Sequence, residues 1–207
     1  MPHLVLLGDS VFDNGVYVAG GPDVAALLSK VLPKGWTLSL HAIDGSTSAD
    51  VTEQIQGVPS ATTHMVLSVG GNDALMNEHL LNTPVQSSAE ALLLLSEAVD
   101  SFERSYRAAL ARLVQEGKDL TVCTIYNANF PDPLQARCVR MAVSLFNDVI
   151  LRVAREYSIR TIDLRAVCTD RADYANDIEP SVVGGQKIAS AIIQSLGIAE
   201  RASRSAV

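Results

Sequence analysis

The chain has 207 residues, a length that suits one domain with enough interior for a sizeable core. Hydrophobic residues make up 48% and charged residues 19%, an ordinary globular balance that excludes an intrinsically disordered chain. Lys and Arg number 16 against 23 Asp and Glu, and the net charge of −7 argues against a nucleic-acid backbone as partner.

The opening residues lack a positive segment and run straight into an apolar strand pattern, so no signal peptide is expected. Short β-rich runs then alternate with longer helical patterns, the order expected of βαβ units and a mostly parallel sheet. Strands are predicted over residues 3–7, 37–42, 64–69, 120–126 and 159–164. Short helices are predicted over 23–31 and 49–56. Residues 87–115 form a long helix whose stripe Leu92, Leu95, Val99, Phe102, Tyr106, Ala109 and Leu113 reads as core packing. Further helices span 133–156 and 183–196, the last with Ile188, Ile192 and Leu196 inward. No apolar run approaches the ~18 residues of a membrane span, and residues 92–95 are the densest. Cys123, Cys138 and Cys168 show no CxxC spacing and read as reduced thiols rather than a disulfide framework or a zinc site. The simplest account is one doubly wound α/β domain over 1–197, with strand order 2-1-3-4-5, followed by a polar tail over 198–207. A cytoplasmic protein is expected.

Ligands of such sheets bind outside the carboxyl ends of the strands, so the loops that follow the strands carry the candidate chemistry. These loops hold Gly8-Asp9-Ser10, Asp44-Gly45-Ser46-Thr47, Gly70-Gly71-Asn72-Asp73 and, later, Asp173 and the run from Asn176 and Asp177 to Glu179, Pro180 and Ser181. Their order and placement resemble the SGNH or GDSL hydrolases, a flavodoxin-like three-layer α/β/α family of esterases, lipases, thioesterases and carbohydrate deacetylases. The resemblance implies that Ser10 of the first block is the nucleophile. It also implies that the backbone N–H of Gly45 and the side chain of Asn72 bind the oxyanion.

The fourth block departs from the family's Asp-x-x-His-Pro. With Pro180 on the family proline, Glu179 stands where the histidine belongs and Asn176 where the aspartate belongs. Using Asp177 instead does not recover the spacing. Four histidines are available as substitutes. His3 precedes Ser10 by seven residues, about 20 Å along a strand and on the wrong edge. His64 begins the third strand and fails likewise. His41 lies near the end of the second strand, and His79 follows Asn72 in a loop over the site.

Glu179 is a poorer base than imidazole at its ordinary pKa of ~4.3, but burial and the neighbouring Asp9, Asp44, Asp73 or Asp177 would raise it. Arg165, just after the fifth strand, would push the other way. The plain alternative is that Glu179 caps the last helix or pairs with a cation. Ser10 alone reads as a turn serine, Gly45 as a tight turn and Asn72 as a left-handed turn residue. Asp9, Asp73 and Asp177 read as solvated or capping groups, since no metal-loop spacing links them.

The expected function is that of a serine hydrolase acting on a small ester, thioester or O-acyl substrate, without cofactor or metal. A rival expectation is a silent domain that binds an acyl or carbohydrate ligand. Loops 12–22, 75–86 and 127–134 are expected to line the substrate, with Phe130, Pro131 and Pro133 as an apolar wall suited to a short acyl chain.

Overall fold

The computed structural model describes residues 1–197, and the tail predicted over 198–207 lies outside the described residues. Strands β1 (His3–Gly8), β2 (Thr37–Leu40), β3 (His64–Ser68), β4 (Asp119–Cys123) and β5 (Arg160–Ile162) form one parallel sheet in the order β2-β1-β3-β4-β5. β1 and β3 are buried on both faces, which is why their sequences are nearly continuous apolar runs. Successive side chains point to opposite faces. Val5 and Leu7 therefore enter one core with Met65, Leu67, Phe102, Tyr106 and Ile150, whereas Leu4 and Leu6 enter the other with Leu28, Ile162, Leu164, Ile188 and Ile192.

The first core is covered by α2 (Val51–Gln56), α4 (Ser88–Gln115) and α5 (Pro133–Glu156); the second by α1 (Val24–Val31), α6 (Leu164–Val167) and α7 (Val182–Ser195). Side-chain caps start several of these helices: Asp23 accepts from the Ala26 N–H, Ser87 from the Glu90 N–H and Ser181 from those of Val183 and Gly184. Asp132 caps α5, with Pro133 in its first turn.

Some boundaries move. Residues 41–42 and 124–126 continue their strand patterns but lie beyond the paired ladder. Residues 71–82, read as loop, contain the short helix α3 (Gly71–Leu75) and a 3-10 turn (Glu78–Asn82). The stripe on α4 is core only in its second half. Phe102, Tyr106, Ala109 and Leu113 are buried, but Leu95 is half-buried and Leu92 is 64% exposed. At 28 residues α4 is about 42 Å long, against about 17 Å for the five residues of β3, so its first turns overhang the carboxyl edge of the sheet. No helix among the described residues is long and apolar enough to cross a membrane.

Candidate active site

Connections leave β1 and β3 toward opposite faces of the sheet, and the crevice this opens lies where Ser10 and Asn72 follow their strands. The chain leaves β1 through Gly8, whose φ is +122° and whose missing Cβ would lie 1.7 Å from the Ser68 carbonyl oxygen. Gln54 of α2 fixes this corner: its Oε1 accepts the Gly8 N–H at 2.8 Å and its Nε2 donates to the Gly8 carbonyl at 2.8 Å. Asp9 then closes a turn, its carboxylate accepting the Val11 N–H at 3.1 Å while its carbonyl accepts from Phe12 and Asp13. Asp9 rather than Ser10 is thus the capping residue, and the Ser10 hydroxyl is left for another partner.

That partner is Glu179. The Ser10 Oγ–H donates to Glu179 Oε1 at 3.0 Å, and both residues are buried, at 8% and 4% exposure. Glu179 does not cap α7, which Ser181 does, and makes no ion pair with a described residue. Burial holds its carboxyl above the ordinary range; the Ser10 hydrogen bond opposes this, and the charge of Asp44 adds to it. Arg165 exerts no opposite pull, because its guanidinium is engaged by Asp163 at 2.7 Å and 2.8 Å. Glu179 Oε2 is buried and accepts no hydrogen bond from any described residue.

Asn176 does not touch the carboxylate. Its amide oxygen accepts the N–H groups of Ile178 and Glu179, at 2.9 and 2.8 Å, and so shapes the turn that presents Glu179. Asp177 is exposed, and its carbonyl accepts from the Asn129 N–H at 2.7 Å. Asn14, buried to 1% exposure, straps the two loops together. Its amide donates to the Pro180 carbonyl and its oxygen accepts the Val24 N–H, both at 2.9 Å.

Asn72 borders the same cleft as Ser10. One of its amide hydrogens is given to the Ser46 carbonyl at 2.9 Å, which leaves the second for a ligand. Gly45 sits in an exposed turn with φ +83° and is not among the residues lining the cleft. Its turn reaches the site through Ser46. Asp73 is half-buried and does more than meet solvent: it accepts from both the N–H and the hydroxyl of Ser48, at 2.9 and 2.6 Å, and pins the second loop to the third. Among the described residues, no group of three or more His, Cys, Asp or Glu side chains is arranged to hold a metal ion.

Asp9 is buried to 3% exposure, and desolvation, offset by the Val11 hydrogen bond and reinforced by the charges of Glu179 and Asp73, pushes its pKa up to about 8. An acid raised in the folded state makes the native chain bind a proton that the unfolded chain releases, so stability falls as pH rises from about 4 toward 8. Asp9→Asn keeps an acceptor for Val11 but cannot ionise. Its melting temperature is expected to match the parent near pH 4 and to exceed it increasingly up to pH 8, as followed by circular dichroism across that range.

No histidine lines the cleft. His3 bonds Thr37 and Ser39 on the sheet, His41 packs against Gly57, and His64 lies beside Trp36 and Asp119. His79 is exposed, although its neighbours Glu78 and Leu81 do face the cleft.

The cleft encloses about 1000 Å³ of empty space, part of it open to solvent. Its polar end is Asp9, Ser10, Asn72 and Glu179; its apolar end is built from Leu95 and Ala98 of α4 with Val139, Ala142, Val143 and Phe146 of α5. Of the three loops expected to line it, 75–86 contributes Leu75, Asn77, Glu78 and Leu81, and 127–134 contributes Ala128 and Phe130. Loop 12–22 contributes none, because Asn14 draws it under the fourth block. Pro131 and Pro133 also stay outside. Tyr126, read as a strand residue, lines the cleft and donates to the Ile178 carbonyl at 2.5 Å.

The chain matches the GDSL-like lipase/acylhydrolase family over residues 6–186 and belongs to it. This is a family of esterase- and lipase-type hydrolases that act on ester substrates. Solved structures agree at the level of fold. An extracellular lipase from Streptomyces rimosus superposes with a TM-score of 0.68 at 16% identity, covering 94% of this chain and 100% of that one. An acetylxylan esterase from Geobacillus stearothermophilus gives 0.65 at 20% identity, covering 95% and 94%. Phospholipase A1 from Streptomyces albidoflavus gives 0.64 at 20% identity, covering 94% and 99%. Among curated proteins none matches the chain in sequence.

Proposed function

We propose that the protein is a serine ester hydrolase in which Ser10 is the nucleophile and Glu179 replaces the usual histidine as its base. The observation that carries this reading is the 3.0 Å hydrogen bond from the Ser10 hydroxyl to a buried carboxylate at the floor of an open cleft. As Ser10 Oγ bonds to the ester carbonyl carbon, its proton passes to Glu179 Oε1. The carbonyl oxygen becomes an oxyanion, which accepts from the Asn72 amide and the Ser10 N–H, a backbone group with no acceptor among the described residues. Gly45 serves through the turn that orients Asn72. Collapse of this adduct breaks the ester C–O bond, and the alcohol departs with the proton held on Glu179. Water then attacks the acyl-enzyme, again losing a proton to Glu179, which returns it to Ser10 as the acid is released.

A second reading, a silent binding domain, is favoured by Asn176, whose amide serves the backbone and leaves Glu179 with no orienting acid. Hydrolysis of p-nitrophenyl acetate and butyrate separates the two. The parent is expected to turn over with a rate that rises with pH through an apparent pKa above the ordinary glutamate value, since the carboxyl must ionise before it accepts a proton. Ser10→Ala is expected to show no turnover above buffer while melting as the parent does. Equal rates in both would remove the hydrolase reading.

A further inference from the structure

Asp9 stands next to Ser10 in the chain and lines the same cleft. Its two oxygens have different surroundings. Oδ1 accepts the Val11 N–H at 3.1 Å and holds the turn after β1. Oδ2 meets no hydrogen-bond donor among the described residues and lies against Gly71, 3.7 Å from where a Cβ of that residue would stand. Gly71 is the immediate neighbour of Asn72, so Oδ2 reaches the stretch of cleft wall that also carries the Asn72 amide. Gly45, whose N–H the family resemblance assigns to the oxyanion, is exposed and outside the cleft. Two donors remain, Asn72 and the Ser10 N–H, and a third position is left open.

The surroundings of Asp9 hold its carboxyl neutral. It is 3% exposed, and no Lys, Arg or His lines the cleft to offset a charge. The titratable groups that face it are Glu179 and Asp73, whose charges oppose its ionisation, with Cys123 at the end of β4 and Tyr126. Burial pushes that thiol and that phenol above their ordinary values, so both stay neutral beside it. A proton on Asp9 belongs on Oδ2, because Oδ1 is committed to Val11 as an acceptor. Two acids placed in this way take separate roles: one ionises and accepts a proton, and the other stays neutral and donates a hydrogen bond.

We propose that the neutral Asp9 carboxyl donates a hydrogen bond from Oδ2 to the oxyanion, as the third donor beside Asn72 and the Ser10 N–H. The proposal rests on the ester-hydrolase reading. The proton stays on Asp9 throughout, and none of its bonds breaks. Charge on the substrate oxygen develops only toward the transition state, so this hydrogen bond strengthens there and acts on kcat. The test follows turnover of p-nitrophenyl butyrate over about pH 5 to 9.5 in the parent, Asp9→Asn and Asp9→Ala, with circular dichroism at each pH to establish that the protein is folded. The parent kcat is expected to rise as Glu179 ionises and to fall as the pH passes about 8, where Asp9 gives up its proton and with it the donor. In Asp9→Asn the amide oxygen keeps the Val11 bond and the amide N–H takes the place of the O–H without titrating. Its kcat at pH 7 is expected to stay within about tenfold of the parent, and its alkaline fall to vanish. Asp9→Ala has no donor and is expected to lose about a hundredfold or more in kcat at pH 7 with little change in KM. A purely structural Asp9 imposes no alkaline fall on a folded protein. A merely charged neighbour would do the opposite on ionising, since a second negative charge makes Glu179 a stronger base and raises the rate. An alkaline fall retained in Asp9→Asn, an alkaline rise in the parent, or equal kcat in Asp9→Asn and Asp9→Ala would overturn the proposal, while turnover that still needs Ser10 keeps the hydrolase reading. Turnover unchanged in Ser10→Ala would overturn both. If Asp9→Ala does not fold, the pH profile of Asp9→Asn decides alone.

Discussion

Glu179→Gln is expected to lower the turnover of p-nitrophenyl butyrate by about a thousandfold in kcat with little change in KM. General-base assistance contributes roughly 10²–10⁴ in rate, and the amide removes all of it while changing almost no atom positions. The glutamine carbonyl still accepts the Ser10 hydrogen bond that Glu179 Oε1 accepts at 3.0 Å, so the serine stays where it is. Only proton affinity is lost, and the rise of rate with pH is expected to vanish with it. Glu179→His is the informative companion. An imidazole is the better base, and the variant is expected to keep turning over with a midpoint moved toward ~6.5. A glutamine variant with parental kcat would show that the Ser10–Glu179 contact is structural and that the base lies elsewhere. Kinetics over about pH 5 to 9 on matched, correctly melting proteins decide the matter.

Gly8→Ala is expected to prevent folding outright, with a loss above about 4 kcal/mol. Two independent penalties fall on one methyl group. The φ of +122° is a conformation that L side chains rarely adopt, and the added Cβ would lie 1.7 Å from the Ser68 carbonyl oxygen. Neither neighbour yields easily: Ser68 ends the central strand β3, and Gln54 grips both backbone groups of Gly8. Gly71→Ala is the control. It stands in the same crevice, but its Cβ would meet nothing nearer than the Asp9 carboxylate at 3.7 Å. Far-ultraviolet circular dichroism and urea titration are expected to find the first variant unfolded and the second near the parent. A cooperative, parent-like melt for Gly8→Ala would mean that β1 and β3 can separate without cost to the fold.

The sheet was legible because burial on both faces writes itself into β1 and β3 as unbroken apolar runs, and because helical stripes fall between them in strict alternation. Where a strand stops was less legible, since an apolar residue such as Tyr126 serves a cleft as well as a ladder. Periodicity misled on α4 for a related reason. It says which residues share a face but not what covers that face, and at Leu92 nothing does. In the site, Ser10, Asn72 and Glu179 stood out through the resemblance of their blocks to the hydrolase family, since by type alone Ser10 and Asn72 read as turn residues and Glu179 as a cap. Asn14 and Gln54 did not, since each is a lone polar residue whose partners are backbone groups far along the chain. Gln54 had one visible signal, a polar side chain on the inward side of a short helix between Val51 and Ile55.

The contact between Ser10 and Glu179 spans 169 residues. One member follows the first strand and the other lies two residues before the N-cap of α7, so a chain that has not yet been synthesised past residue 179 cannot hold the pair. Long-range closures of this kind form late, after local helices and neighbouring strands have already reduced the entropy of the search. Reactivity at Ser10 is therefore coupled to completion of the fold. Ser10 meets the Glu179 carboxylate only when α7 has docked and Asn14 has taken hold of Pro180, and under the proposed mechanism any event that undocks α7 silences Ser10 without touching it.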